Sequence, residues 1–436
     1  MSDRRHFLKS MTLGSGAVMA ALHEEAFAIV QEAAGRLAPE DTAEDVAVKE
    51  WFWSRVQSAF ELDRTLIHLN SGGASASPGS VHRALKRYLD YSNQAPSYYM
   101  WKHLEPLREG VRQKLARAFG CDAEELAITR NTSESMETVQ FGMDLHKGDE
   151  VVVSTQAYER MLLTWDQIQR RRGIVVKRVT IPVPLMDPGD YVERIREAIT
   201  EKTRAIMVMH VINHTGQITP VGEISRLAHA RGIPVICDGA HSFAHFPFTL
   251  QDMDCDFYGT SLHKWCCAPV GTGFLYVKRD RIKEIWPLMA APEDMDDDIR
   301  KFESIGTHPA AHPNAIAEAL AFNEGIGLDR KAARLRYLNR RWIDRLRPYE
   351  NIRFRVDIDD PSQWCGIVTV HIDGVNHAKL CSYLLDECGI FVTHVWHKEC
   401  NGIRVSPNVY TLLSEIDSFA DVMEKVAQGE VKEVQG

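Results

Sequence analysis

The run Ala205-Ile206-Met207-Val208-Met209-His210-Val211-Ile212-Asn213 is apolar, but for His210, until it meets the amide of Asn213. A strand with one wet face alternates apolar and polar side chains. An unbroken apolar run is the pattern of a strand covered on both faces, the usual setting of a parallel sheet. A helix over 224–231 follows, and the pattern repeats: residues 233–237 form a strand that ends at Asp238. Outward from this pair, strands are expected over 126–129, 150–154 and 174–181 upstream, and over 256–259 and 272–277 downstream. A helix from about Thr132 and another over 161–171 interleave with them. Strands alternating with helices imply βαβ units and a mainly parallel sheet.

The fold class is therefore α/β: a large domain with a mainly parallel sheet flanked by helices, plus a smaller C-terminal α/β domain. The large domain is expected over 66–312. It opens with a short strand over 67–70 and is preceded by a polar helical segment over 29–65. An amphipathic helix over 105–119 carries Leu107, Val111, Leu115 and Phe119 at a four-residue spacing, and Gly120 ends it. The stretch 279–315, with Asp296-Asp297-Asp298, reads as a surface loop. The smaller domain is expected over 313–436. It holds helices over 315–325, 331–346, 377–388 and 413–427, and strands over 367–372, 390–393 and 402–405.

The 436 residues are 44% hydrophobic and 25% charged, enough to bury a sizeable core. With 60 acidic against 51 basic side chains and a formal charge of −9, the chain lacks the basic footprint of a nucleic-acid or anionic-membrane binder. The nine cysteines are odd in number, scattered, and partly set in apolar runs (Cys237, Cys255), so no disulfide framework is implied. Cys266 and Cys267 read as buried, inert thiols. No CxxC or Cys/His spacing points to zinc.

At the N-terminus, Arg4-Arg5-His6-Phe7-Leu8-Lys9 is similar to the twin-arginine export motif. A short apolar stretch and a candidate cleavage site at Ala26-Phe27-Ala28 follow, so residues 1–28 are a candidate signal peptide. The expected partner is the twin-arginine export machinery and the expected location periplasmic or secreted, the alternative being cytoplasmic. No run is long and apolar enough for a stable membrane span.

Several polar residues stand where strands end, the edge at which open α/β sheets bind ligands. Lys264, in Asp256-Phe-Tyr-Gly-Thr-Ser-Leu-His-Lys264, follows an apolar strand. Burial there lowers an amine's pKa and makes it a nucleophile toward an aldehyde; read alone, such a lysine is more often a solvated surface residue. Asp238 ends a buried strand and needs a cationic partner, such as a protonated pyridine nitrogen, or else serves as a helix cap or structural ion pair. Asn213 and His241 stand at the ends of their strands, as donors to a ring oxygen or as a turn residue and a satisfied half-buried histidine. Thr129-Arg-Asn-Thr-Ser-Glu is a strand, turn and helix start, where free N–H groups and the hydroxyls of Thr132 and Ser133 suit an anion. Ser261 and His263 are further phosphate donors. Tyr158 is placed to stack on a ring, and Arg404, in Gly402-Ile-Arg-Val-Ser-Pro, to grip a substrate carboxylate in two-pronged fashion. Each also fits ordinary packing.

Their order and spacing resemble those of the class V aminotransferase family of fold-type-I pyridoxal 5′-phosphate enzymes, across about residues 65–425. The likeness is greatest to isopenicillin N epimerase-like members, through Leu69-Asn-Ser-Gly-Gly, Asn131-Thr-Ser-Glu, Tyr158, Asp238-Gly-Ala-His and Ile403-Arg-Val-Ser-Pro-Asn-Val-Tyr. The Asn213–Asp238–Lys264 spacing also resembles cysteine desulfurases. The resemblance implies Lys264 as Schiff-base lysine and acid/base, Asp238 on the pyridine nitrogen, and Asn213 and His241 near the ring oxygen. It places Ser133, Ser261 and His263 on the phosphate. Thr307, after Gly306, matches a segment that reaches the phosphate of a neighbouring subunit, so a homodimer with shared active sites is implied.

Three departures bear on chemistry. Leu262 replaces a small residue. Lys398 stands where desulfurases carry a mobile-loop cysteine, with Cys400 two residues on. Trp265, Trp396 and His397 are expected to crowd the substrate side. The leading expectation is an enzyme that forms an external aldimine with an amino acid or amine, as an aminotransferase or epimerase. Epimerisation would need a second base, for which His397, Tyr98 and Tyr99 are candidates. The alternatives are a C–S lyase or cysteine desulfurase, and a non-catalytic binding protein on the same fold. A nucleotide-binding protein is disfavoured, as no GxGxxG or Walker loop is present.

Overall fold

The computed structural model describes residues 30–435. The Arg4-Arg5 motif and the Ala26–Ala28 cleavage site lie outside the described residues. Strand β1 (Ile67–His68) is followed by a seven-stranded sheet: β2 (Leu126–Thr129), β3 (Glu150–Ser154), β4 (Val175–Val179), β5 (Thr203–Met209), β6 (Val235–Asp238), β7 (Phe257–Ser261) and β8 (Gly273–Val277). Its order is β2-β8-β7-β6-β5-β3-β4. Pairs β3–β4, β3–β5, β5–β6 and β6–β7 are parallel, and only β8 runs against the rest. The apolar run from Ala205 to Met209 lies in β5, near the middle, which is buried at every position but Arg204. Helices on both faces cover it, and the main core gathers Val151, Ile206, Val208, Ile236 and Phe274 with Met136, Trp165 and Ile224.

Because five strands point one way and β2 agrees with them, their C-terminal ends share one edge. Thr129, Ser154, Met209, Asp238 and Ser261 close β2, β3, β5, β6 and β7 there. The chain turns after each of these residues, and those turns carry the polar side chains singled out above.

A second sheet joins β9 (Ile352–Phe354), β10 (Val368–Ile372), β12 (Thr393–Val395) and β13 (Gly402–Val405) in the order β12-β13-β10-β9, all antiparallel. Helices Leu328–Leu346, His377–Asp386 and Leu413–Ala427 pack on it through Trp342, Leu380 and Phe419. Strand β11 (Ile390–Phe391) pairs in parallel with β1, so the segment ahead of the large sheet is stitched to the C-terminal core. The residues before β1 pack as a third cluster, Phe52, Trp53 and Val56 meeting Cys267, Phe322 and Tyr410. Among the described residues, no helix is long and apolar enough to cross a membrane.

Candidate active site

A cavity of about 410 Å³ opens at the shared strand edge, between the two sheets. The turn after β6 brings Asp238 and His241 to its wall, and the turn after β7 brings Ser261, His263 and Lys264. Asn213 comes from beyond β5, Thr132 and Ser133 from the helix after β2, and Tyr158 from beyond β3. Arg404 enters from β13 of the other sheet. Ten of the residues picked from sequence thus face one space. Thr307 does not: it is exposed on the segment after Glu303 and lines no part of this cavity.

The lysine is tuned by its surroundings. Lys264 Nζ lies 3.1 Å from His241 Nε2. Burial pushes its amine down to about 8, against the pull of Asp238. Asp238 is buried and accepts only the N–H of Ala240, at 3.0 Å, so burial pushes its carboxyl up from the usual range. Burial, aided by Lys264 and Arg404, holds His241 well below the usual histidine range, so its ring is neutral. With Nε2 facing Lys264, the ring proton belongs on Nδ1, which is buried without a partner. One consequence is measurable. In the cofactor-free protein, modification of Lys264 by an amine-directed reagent should rise through a midpoint near pH 8, because the ammonium form below it is unreactive; peptide mass mapping across pH checks this.

At one end the cavity suits an anion. Helix Thr132–Gly142 starts there, capped by Asn131 Oδ1, which accepts the Glu134 N–H at 2.9 Å. Ser261 Oγ accepts the Thr132 N–H at 2.9 Å and lies 2.8 Å from Thr132 Oγ1, so hydroxyls and helix terminus are gathered in one place. His263 Nδ1 is buried without a partner beside them.

The opposite end is cationic. Arg404 is buried, and its Nη2 donates to Asn70 Oδ1 at 2.9 Å and its Nη1 to the Asn213 carbonyl at 3.1 Å. Burial lowers its pKa to about 10, which leaves it charged at neutral pH. The Nε donor has no partner. Among the described residues, no carboxylate neutralises this guanidinium, which leaves that role to a ligand.

The residues present fit pyridoxal 5′-phosphate. His241 Nδ1, Asn213 Oδ1, His263 Nδ1 and Arg404 Nε are all buried polar atoms left unsatisfied around one cavity. Such groups are costly unless something fills the space and bonds to them. An anion site, a buried carboxylate and a lysine tuned to about 8 are what phosphate, pyridine nitrogen and aldehyde each require.

Other expectations are corrected. Trp265 is fully buried and stacks on His245 away from the cavity, because the chain bends back after Lys264. Trp396 is 85% exposed, and His397 is tied to the Thr155 carbonyl at 3.2 Å; neither lines the cavity. The substrate side is therefore not crowded by these three. Tyr98 and Tyr99 form an aromatic cluster with Tyr91 and His103 and also lie off the cavity. Leu262 is fully buried in the main core and lines no wall. Sequence reasoning missed Asn70, which holds Arg404, and Arg160, Met161, Met209 and Gly72, which line the wall. Asn70 was within the quoted Leu69-Asn-Ser-Gly-Gly, but nothing in that string points to a partner over three hundred residues away.

The sequence profile described as aminotransferase class-V matches residues 67–419. An isopenicillin N epimerase from Streptomyces clavuligerus is 27% identical over 389 residues, covering 85% of this chain and 98% of that relative. A cysteine desulfurase from Haloferax volcanii is 29% identical, covering 82% of this chain and 89% of the relative. Among solved structures, a cysteine desulfurase from Escherichia coli superposes with a TM-score of 0.75 at 22% identity, over 87% of this chain and 99% of that one.

Proposed function

The chain belongs to the class-V aminotransferase family of pyridoxal 5′-phosphate enzymes, and from that premise we propose that it acts on the α-carbon of an amino acid, as an aminotransferase or epimerase. The observation that carries this reading is one cavity with Lys264, Asp238 and Arg404 on its wall. Pyridoxal 5′-phosphate, when bound, supplies an aldehyde and a ring that withdraws electrons from the substrate α-carbon. Asp238 would sit against the ring nitrogen, where a cation keeps this buried carboxylate ionised. His241 and Asn213 would face the ring oxygen. Thr132, Ser133, Ser261 and His263 would hold the phosphate, and Tyr158, 42% exposed at the mouth, would cover the ring. Arg404 would bind the substrate carboxylate and so fix which α-carbon bond faces Lys264. Lys264 Nζ then takes and returns the α-proton, at a pKa close to working pH.

Transamination needs only this one base. Epimerisation needs a second proton donor on the far face, and none of His397, Tyr98 and Tyr99 lines the cavity. A C–S lyase is the alternative within the same machinery. A desulfurase acting through Cys400 is disfavoured by a specific observation. That thiol is fully buried, lies 3.4 Å from His397 Nδ1, is pushed up to about 12 and lines no part of the cavity. A sulfur-accepting nucleophile needs an accessible thiolate. Cys400→Ser should therefore keep at least about half of wild-type turnover, and steady-state rates on the best substrate check this.

The homodimer, with Thr307 of each chain serving the other's site, is part of the same proposal, as is export through the Arg4-Arg5 motif. The deciding experiment offers the holo protein a panel of L- and D-amino acids, sulfur-containing ones included. Cofactor absorbance reports reaction and mass spectrometry identifies products. A keto acid or the opposite isomer is the expected outcome. Pyruvate with sulfide would transfer the assignment to the lyase reading, and a cofactor band that no amino acid perturbs would sink the proposal.

A further inference from the structure

His245 is fully buried and takes no part in the chemistry above. It stands in the turn after β6, directly behind Ala244, whose φ of 58° is left-handed and costly for a residue with a β-carbon. Its ring lies against Trp265, the neighbour of Lys264, with centroids 3.7 Å apart and planes 3° apart. Beyond Trp265, Cys267 is also left-handed, with φ of 56°. Two strained turns thus flank one stacked pair, and strained backbone persists only where its surroundings hold it.

Both ring nitrogens are engaged. Nδ1 donates to the His241 carbonyl at 2.6 Å, and Nε2 accepts the Gly366 N–H at 2.7 Å. A carbonyl only accepts and an amide N–H only donates, so a single neutral tautomer satisfies both. Among the described residues, Lys331, Arg336 and His210 bear on the charge of this ring, and the His241 ring couples to it. Lys331 Nζ also donates to the Trp265 carbonyl and, at 2.8 Å, to Asn323 Oδ1, which anchors the far side of the stack.

The contacts of His245 lead in two directions. On one side, the residue whose carbonyl it holds, His241, lies 3.1 Å from Lys264 Nζ. On the other, Gly366 leads into β10, whose Thr369 is the register partner of Arg404 on β13. The seam is tight: a β-carbon at Gly366 would lie 2.6 Å from His245 Nε2 and 2.7 Å from the Trp265 ring. We infer that His245 is a positioning residue, whose two hydrogen bonds and stack on Trp265 hold the Lys264–His241 pair in register with Arg404. This rests on the reading of Lys264 as the cofactor lysine.

The test compares wild type, H245F, H245Q and G366A as holo proteins. Phenylalanine keeps a ring on Trp265 and loses both bonds. Glutamine keeps a donor for the His241 carbonyl and an acceptor for the Gly366 N–H. The readouts are the pH midpoint of the cofactor's visible absorbance, and KM separately from kcat. H245F and G366A should each move the midpoint by at least about half a pH unit and raise KM at least about fivefold, while H245Q, which keeps both bonds and loses only the stack, shifts by clearly less. An unmoved midpoint and KM in H245F overturns the inference, as does an equal shift in H245Q. If H245F is not recovered folded, G366A decides on the same criteria. Wild type with no cofactor band at all would instead overturn the pyridoxal 5′-phosphate reading itself.

Discussion

Lys264→Ala should lower turnover by at least about a thousandfold, the range expected when a positioned acid/base and its covalent anchor are both lost. The amine is buried, held at about 8, and set 3.1 Å from a neutral histidine. Alanine removes the only amine that the described residues place on the cavity wall. Cofactor binding should survive in part, because the anion site around Thr132 and Ser261 is untouched. The linkage to the chain should not. Borohydride reduction followed by peptide mass analysis should label the Lys264 peptide in wild type and no peptide in the variant. A variant that keeps wild-type turnover on a reactive amino acid would remove Lys264 from the mechanism.

Arg404→Ala should act on substrate binding. A buried guanidinium that meets a carboxylate contributes about 3–5 kcal/mol when its loss leaves the partner charge buried and unpaired, which is about 10²- to 4×10³-fold in KM. The proton-transfer step at Lys264 is unaltered, so kcat should fall far less than kcat/KM. Lysine at 404 should not restore binding. Two arms of the guanidinium are already spent on Asn70 Oδ1 and the Asn213 carbonyl, and a single ammonium cannot bridge those acceptors and also grip a carboxylate. Amines that lack a carboxylate should be nearly indifferent to the change. Substrate saturation curves for an amino acid and its decarboxylated analogue, on both proteins, measure the difference.

The strands at the centre of the large sheet were legible because they are buried on both faces. Their apolar runs have no competing pattern, and 150–154 beside β5, 126–129 at the edge of that sheet and 402–405 in the second sheet also match the observed strands end to end. Elements with weaker apolar signals were missed. Helix Gly79–Gln94 buries only Gly79, Val81, Ala84 and Tyr88, a stripe of small or amphipathic residues in a polar stretch. Strand β9 is three residues long with only Ile352 buried. Strand 272–277 was legible as a strand but not as the one that runs against the others, since pairing sense leaves no mark on a six-residue apolar run.

At the site, the residue types and their places at strand ends were legible in the chain, and a parallel sheet delivers every such end to one edge. That is enough to gather Asp238, His241, Ser261, His263 and Lys264 from consecutive turns. How they are tuned, and which neighbours matter, depends on the packing around them. Burial sets the Lys264 amine and the Cys400 thiol, and burial is a property of the whole packed body. Trp265, adjacent to the lysine in sequence, points into the core, whereas Asn70, far away in sequence, holds Arg404. Contacts between the two cores join residues hundreds of positions apart, and no local pattern of side chains encodes them.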